Sequence, residues 1–356
     1  MVKGCHQKKQ VGVALLAALI FMLAIVLTLG NIFYAHQLDV ARLTKNLHGD
    51  QALLLALSAE SWARQLLSSD QDDREVDSLQ ENWAIAVPVL PVEGGFLRGC
   101  IQDLQGRVNV NSFSTYDGEK LNAEMANEAN GLVRVWLALL RASDLPFNEA
   151  SVATIIDWVD SDDDAVSEWG AEQQNYESNR ELVMVANSAL TDVEELAIMR
   201  GYGASTVRLL KPWISALPKA TSININTAPE QILLAMGGEF PQAFADFVLR
   251  QRPFYSLSDF REGLSGALNM DQQKVSALWP NGFVGITTDY FQLQLEVTLG
   301  ESQLRIDSVL GRYDRSEPVI ISRTITMVPA IVGRLGNDQE NAATIPTGFC
   351  EHLESS

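Results

Sequence analysis

Seven carboxylates crowd residues 157–176: Asp157, Asp160, Asp162, Asp163, Asp164, Glu168 and Glu172, with no lysine or arginine among them. Charges packed this closely repel unless water or a cation separates them. Calcium suits such a stretch, because it takes about six to eight oxygens from a flexible loop. Asp160, Asp162 and Asp164 recur at loop spacing, and Glu172 and Asn175 can close from across Gly170. The order is not that of an EF-hand, whose glycine and closing glutamate fall elsewhere. The plain alternative is a solvated acidic loop that binds nothing.

Other chemistry is sparse. The histidines are His6, His36, His48 and His352, and none lies between 49 and 351, where a folded body must be. That removes the usual general base for a Ser or Cys nucleophile and the usual zinc ligand, so an enzyme is not expected. The 356 residues include 26 Lys+Arg against 45 Asp+Glu, a net charge of −19. A carboxylate-rich surface repels phosphate, so no nucleic-acid partner is expected. With 47% hydrophobic residues the chain can build a core.

The elements that must carry the acidic loop begin at a membrane. From Gln10 to Leu38 there is no Lys, Arg, Asp or Glu, and 13–35 is almost wholly apolar. About 20 such residues, at roughly 1.5 Å rise each, cross a hydrocarbon core of about 30 Å. Lys3, Lys8 and Lys9 precede the run, and acids follow from Asp39. The positive-inside rule then puts 1–12 in the cytoplasm and the body in the periplasm of a Gram-negative-type cell. A cleaved secretory signal fits poorly, since the run is too long and ends in Ile32-Phe33-Tyr34 without a small-x-small site. The helix is expected to continue to Leu67, with Leu43, Leu47, Leu54, Leu57, Trp62 and Leu66 near helical spacing.

The body reads as α+β. Residues 96–111 form two alternating runs around Asp103-Leu104-Gln105-Gly106, which predicts a β-hairpin. Period-two runs at Tyr290–Leu299, Gln303–Leu310 and Val319–Val328 predict an antiparallel meander. One sheet against the N-terminal helix is the simplest arrangement, with an all-α insertion between the two strand regions. The expected divisions are a leader 1–12, a transmembrane part 13–35, an outer helix and first hairpin 36–112, an insertion 113–288, a returning meander 289–328 and a polar tail 329–356.

The insertion holds a weak repeat. VEELAIMRGYG and PEQILLAMGGE each lead from a polar start through a glycine hairpin into a second helix. With Ile223-Asn224-Ile225-Asn226-Thr227-Ala228-Pro229, this resembles helix-hairpin-helix DNA modules. Arg200, Arg208, Lys211 and Lys219 suit such a use; Glu239 in the second hairpin opposes it. A packing role is the favoured reading, and a membrane-tethered DNA receptor for uptake is the alternative.

Lys8-Lys9-Gln10-Val11-Gly12-Val13-Ala14 ahead of a long apolar helix resembles a type IV prepilin or pseudopilin. That resemblance implies leader removal after Gly12 by a prepilin peptidase and methylation of Val13. Most members carry Glu at the fifth mature position; Ala17 stands there. Its absence, with Asp157-Trp158-Val159-Asp160-Ser161-Asp162, Gly170-Ala171-Glu172 and Asn224-Ile225-Asn226-Thr227-Ala228, resembles the K-type minor pseudopilins of type II secretion. The resemblance implies a pilin-like fold, structural calcium in the helical domain, and assembly at a pseudopilus tip. It implies as partners the I- and J-type minor pseudopilins, the inner-membrane secretion platform and secreted cargo. Gln173 departs from the family's Asp. A minor pilin of a surface type IV pilus is a further alternative. Cys100 and Cys350 remain in the exported part, where a disulfide between them is allowed.

Overall fold

The computed structural model describes residues 11–69, 76–85, 87–126, 130–176, 183–313 and 317–329. Most of the leader, and the tail with Cys350, lie outside the described residues. Helix α1 (Val11–Ser69) is 59 residues long. It is rich in Ala and Leu and free of proline, so nothing interrupts it. Its first half is exposed all round, including Leu19, Phe21 and Phe33. Its second half buries one stripe, Ala52, Ala56, Ala63 and Leu67. The three alanines let the helix axis approach the strands closely. Beyond α1 come β1 (Val87–Val92) and β2 (Gly95–Asp103), joined at Gly94, whose φ of +84° suits glycine.

The chain then leaves for a helical body. Its strands are the short pairs β3 (Val108–Asn109) with β4 (Ile214–Ser215) and β5 (Ile223–Asn224) with β6 (Val284–Gly285), both parallel. Its helices are α2 (Gly118–Met125), α3 (Leu132–Ala142), α4 (Glu149–Val159), α5 (Gln173–Tyr176), α6 (Ala204–Leu210), α7 (Glu230–Met236), α8 (Pro241–Gln251), α9 (Leu257–Leu268) and α10 (Gln272–Leu278). Trp136, Trp158, Trp279, Phe113, Phe244 and Phe260 fill one core that runs from Val108 to Val284.

The chain returns in β7 (Tyr290–Leu299), β8 (Ser302–Gly311) and β9 (Val319–Pro329). The five-stranded sheet has the order β1-β2-β7-β8-β9, antiparallel throughout. Leu97, Ile101, Leu293, Leu295, Val297, Leu304 and Ile306 face α1 in a second core. The alternate residues Arg98, Glu296 and Arg305 form ion pairs across three strands on the other face.

The meander and the long helix follow the sequence expectation. The first hairpin does not. Asp103–Gly106 turns the chain out of the sheet, and Val108–Asn109 pairs in parallel with Ile214–Ser215. The true hairpin is β1–β2, turned at Glu93-Gly94. The alternation at 107–111 reflects burial in the helical core, where Val108 and Val110 are fully buried, so that body starts before residue 113.

A buried polar joint connects the two cores. Asp103, at the end of β2, accepts from Gln105 N and Thr288 Oγ1 on one oxygen, and from Asn224 Nδ2 (2.8 Å) and Thr227 Oγ1 on the other. It thus ties the sheet to β5 and to the chain's return.

Candidate metal centre

Helix α4 delivers the acidic loop. Asn148 caps its start, accepting from Ser151 N at 3.1 Å in a reciprocal capping box. Its apolar residues Val152, Ile155, Ile156 and Val159 are buried, and it stops at Asp160, whose backbone turns to an extended conformation.

Asp157 shapes the loop from inside. It is fully buried; Oδ1 accepts from Val166 N at 2.8 Å and Oδ2 from Ala171 N at 2.6 Å. These bonds fold the loop back over the helix end. A side chain at Gly170 would put its Cβ 2.1 Å from Asp157 Oδ2, so glycine is required there. Trp158 packs edge-on to Tyr176 with ring centroids 5.8 Å apart.

Asp160, Asp162 and Glu172 converge. One carboxylate oxygen of each lies within 4.8 Å of the others. Calcium–oxygen bonds of about 2.3–2.6 Å let one ion bridge oxygens at that separation. Asp160 Oδ1, both Glu172 oxygens and Asn187 Oδ1 are buried without a hydrogen-bond partner. Unpaired buried acceptors on anionic groups are costly, and a cation is the partner their chemistry lacks. Burial pushes Glu172 up to about 7, and the charges of Asp157, Asp160, Asp163 and Asp162 add to it. Burial, then Asp162 and Asp157, raises Asp160 to about 6. A bound divalent cation would reverse that repulsion. The donor set therefore fits a hard, oxygen-seeking metal.

The expected ligands divide. Asp164 is exposed and outside the trio; its backbone N–H donates to Asp162 Oδ1 at 3.0 Å. Asn175 Oδ1 accepts from Glu172 N at 3.0 Å, starting the short helix α5. Gln173 bonds Val183 O and Val185 N and so straps down the irregular segment 183–185. Sequence reading had no ligand role for Asn187. Its Nδ2 donates to Asp162 O (2.7 Å) and Asp163 Oδ1 (2.9 Å), and its φ of +42° belongs to the left-handed region that Asn tolerates.

The asparagine motifs are backbone staples. Asn111 donates to Leu190 O and Leu217 O and accepts from Leu190 N. Asn226 bonds Phe254 through both its Nδ2 and its Oδ1. The helix-hairpin-helix geometry is present at α7–Gly238–α8, with Gly238 at φ +60°. Asn130 covers that hairpin: a Cβ on Gly238 would meet its amide at 2.5 Å. In the first unit, Lys211 is paired with Glu194 and Lys219 lies over the Tyr313 ring. Both features favour packing over phosphate binding.

Gly12 and Val13 lie in the first turns of α1. Cys100, on β2, is buried and disulfide-bonded, and its partner lies outside the described residues.

Residues 106–219 match the family model "Type II secretion system (T2SS), protein K". The chain is 30% identical over 318 residues to type II secretion system protein K of Pseudomonas aeruginosa, covering 86% of this chain and 90% of the relative. The chain belongs to the type II secretion system protein K family. The protein K of Aeromonas hydrophila is 29% identical over 324 residues, covering 89% of this chain and 97% of that one. The fold matches a chain of the crystal structure of the GspK-GspI-GspJ complex from the enterotoxigenic Escherichia coli type 2 secretion system. The TM-score is 0.65 at 22% identity, covering 80% of this chain and 99% of that chain. Protein K is a structural pseudopilin, not an enzyme. The long exposed apolar half of α1 fits a pilin-like anchor, and the family implies a cell-envelope location.

Proposed function

We propose that this chain caps the tip of the type II secretion pseudopilus and starts its assembly with the I- and J-type minor pseudopilins. The reading rests on one combination: a pilin-like helix and sheet carrying a helical body too bulky for another subunit to stack above. The solved relative in complex with GspI and GspJ supports the partners. Prepilin peptidase would cut after Gly12 and methylate Val13. The Val13 helix would anchor the subunit in the inner membrane with its body in the periplasm. Ala17 leaves nothing to offset the amine of a neighbour above, which suits a terminal position. The secretion platform and cargo would meet the assembled tip.

Calcium would serve structure rather than chemistry. Asp160, Asp162 and Glu172 would hold it, with Asn187 Oδ1 as a further oxygen; Asp164 and Asn175, expected from spacing, would support the loop. In the oxidising periplasm Cys350 is the partner available to Cys100.

Co-purification of the processed, full-length chain with I- and J-type pseudopilins tests the function. A stoichiometric complex is expected. A chain that stays alone, or that incorporates along the shaft instead of the tip, would sink the proposal.

A further inference from the structure

Two clefts meet beside the long helix. One, of about 680 Å³, runs between α1 and the strands β1 and β2. Leu55, Ala59, Trp62 and Leu66 form its helix wall, and Leu90 and Leu97 its strand wall. The other, of about 720 Å³, lies between the end of β2 and the helical body. Trp83, Ile85 and Ile101 line both, so the two form one groove.

The part along α1 is apolar, and its rim is open to solvent: Trp62 is 52% exposed, Ile85 62% and Leu90 42%. Contiguous exposed apolar surface of this kind is uncommon on a chain that works alone. The helix-wall residues recur at i, i+4, i+7 and i+11, one side of α1 over about 16 Å. Ridges at that spacing are filled by the ridges of a second helix laid alongside. Leu43, Leu47 and Leu54 extend the exposed apolar surface down the same helix toward the anchor.

The part at the helical body is cationic. Arg107 and Arg252 both line it and converge on Ala228. Arg252 Nη1 donates to Ala228 O at 3.0 Å; Gly106, next to Arg107, sits so close that an added Cβ would lie 3.2 Å from Ala228 N. Arg107 Nη2 donates to Gln102 Oε1 at 2.7 Å. Neither arginine forms an ion pair among the described residues. None of their remaining guanidinium nitrogens is buried without a partner, so these nitrogens open on the cleft. Of the carboxylates there, Asp103 is spent on Gln105, Asn224, Thr227 and Thr288, and Glu230 is exposed and pairs with neither arginine. Burial lowers both arginines from their ordinary values, a penalty that an anion in the cleft relieves.

We infer that this groove is the seat of a helix from a neighbouring minor pseudopilin, whose apolar stripe lies along 55–66 of α1 and whose carboxylate beyond the stripe pairs with Arg107 and Arg252; the seat rests on the assembly proposed above. A subunit built on the same plan supplies the long helix that the trough fits. Two guanidinium groups at the end of an apolar trough set the register, because they take a carboxylate in fork geometry and reject a cation.

The full-length chain is coexpressed with the I- and J-type subunits and extracted in detergent. A photo-crosslinking residue at Ile85 should give an adduct with one of them; the same residue at Ile198, exposed but lining neither cleft, should give none. Ile85→Asp should weaken the complex about tenfold or more with an unchanged melting temperature. Arg107→Gln/Arg252→Gln should flatten the loss of complex as salt is added. If Ile85→Asp lowers the melting temperature, the adduct decides. A normal complex with Ile85→Asp and no adduct at Ile85 overturns the seat while the assembly stands. A wild-type chain that joins neither subunit overturns both. An adduct with a second copy of this chain, or with secreted protein, gives the groove to another occupant and overturns the seat. Equal salt dependence in wild type and the double glutamine variant overturns the pairing with the arginines.

Discussion

Asp77 and Arg312 form a 2.6 Å ion pair with both side chains almost fully buried. The pair joins the segment after α1 to the end of β8. The second Asp77 oxygen accepts from Thr288 N at 2.6 Å, and Arg312 also donates to Thr288 O at 2.9 Å and lies over the Phe291 ring. Together with Asp103, these groups lock the sheet to the point where the helical body returns. A subunit whose bulk must be carried on one helix needs such a rigid joint.

Asp77→Ala leaves the Arg312 guanidinium buried without its carboxylate. Removing one partner of a buried pair costs about 3–5 kcal/mol. Denaturant unfolding of the solubilised chain should lose stability on that scale. A loss within measurement error would show that the pair does not hold the joint.

Calcium should raise the melting temperature, because a ligand that binds only the folded form stabilises it by about 2.7 kcal/mol at 100 times its dissociation constant. Glu172→Gln, which alters the buried member of the trio, should remove most of that rise. Asp164→Asn should keep it, since Asp164 lies outside the trio. Equal losses in the two variants would mean a diffuse acidic cloud rather than a built site.

Asp103 should imprint a pH dependence on stability. Burial raises it from 3.8 to about 6 against the lowering effect of Thr227, Thr288 and Gln105, and Asp77 raises it further. The folded chain thus keeps this proton to higher pH than the unfolded chain. Stability should fall as pH rises from about 4 to about 6 and then level, by roughly 3 kcal/mol in total. The calcium-free acidic loop slopes the same way, so the comparison must be between wild type and Asp103→Asn. The variant should lose the Asp103 part of the slope; identical slopes would refute the assignment.

Gly12→Leu should stop leader removal, read as retained mass at the amino terminus. Normal processing in that variant would exclude cleavage at Gly12.

Duplex DNA should show no salt-sensitive retention by the chain at low salt. The Gly238 hairpin is covered by Asn130, and Lys211 is paired with Glu194. Retention that falls steeply with added salt would instead favour the DNA-receptor reading.

Much of the fold was legible because it is local. The strands at 290–299 and 302–311 carry their buried face in period-two alternation, and they form as read. Residues 107–111 mislead because burial in a helical core also gives an apolar alternation. Nothing in Val108–Asn109 itself distinguishes pairing with β2 from pairing with a strand about a hundred residues away. The acidic loop was legible as a cluster and not as a site. Asp157 and Asp160 look alike in sequence. One is consumed by Val166 and Ala171 amides, while the other keeps an unpaired oxygen.

The sequence by itself determined the uncharged helix at the amino terminus, the asymmetry of charge around it, the strand periodicity and the crowding of carboxylates at 157–176. These follow from composition and short-range spacing, which hydrophobic burial and Coulomb repulsion read directly. Only the tertiary structure decided that Asp160, Asp162 and Glu172 meet and that Asn187 joins their loop. It also decided that Asp77 reaches Arg312 and that Arg107 and Arg252 share a cleft. Each of these depends on the direction a side chain takes after distant segments have packed, and neither spacing nor composition encodes that direction.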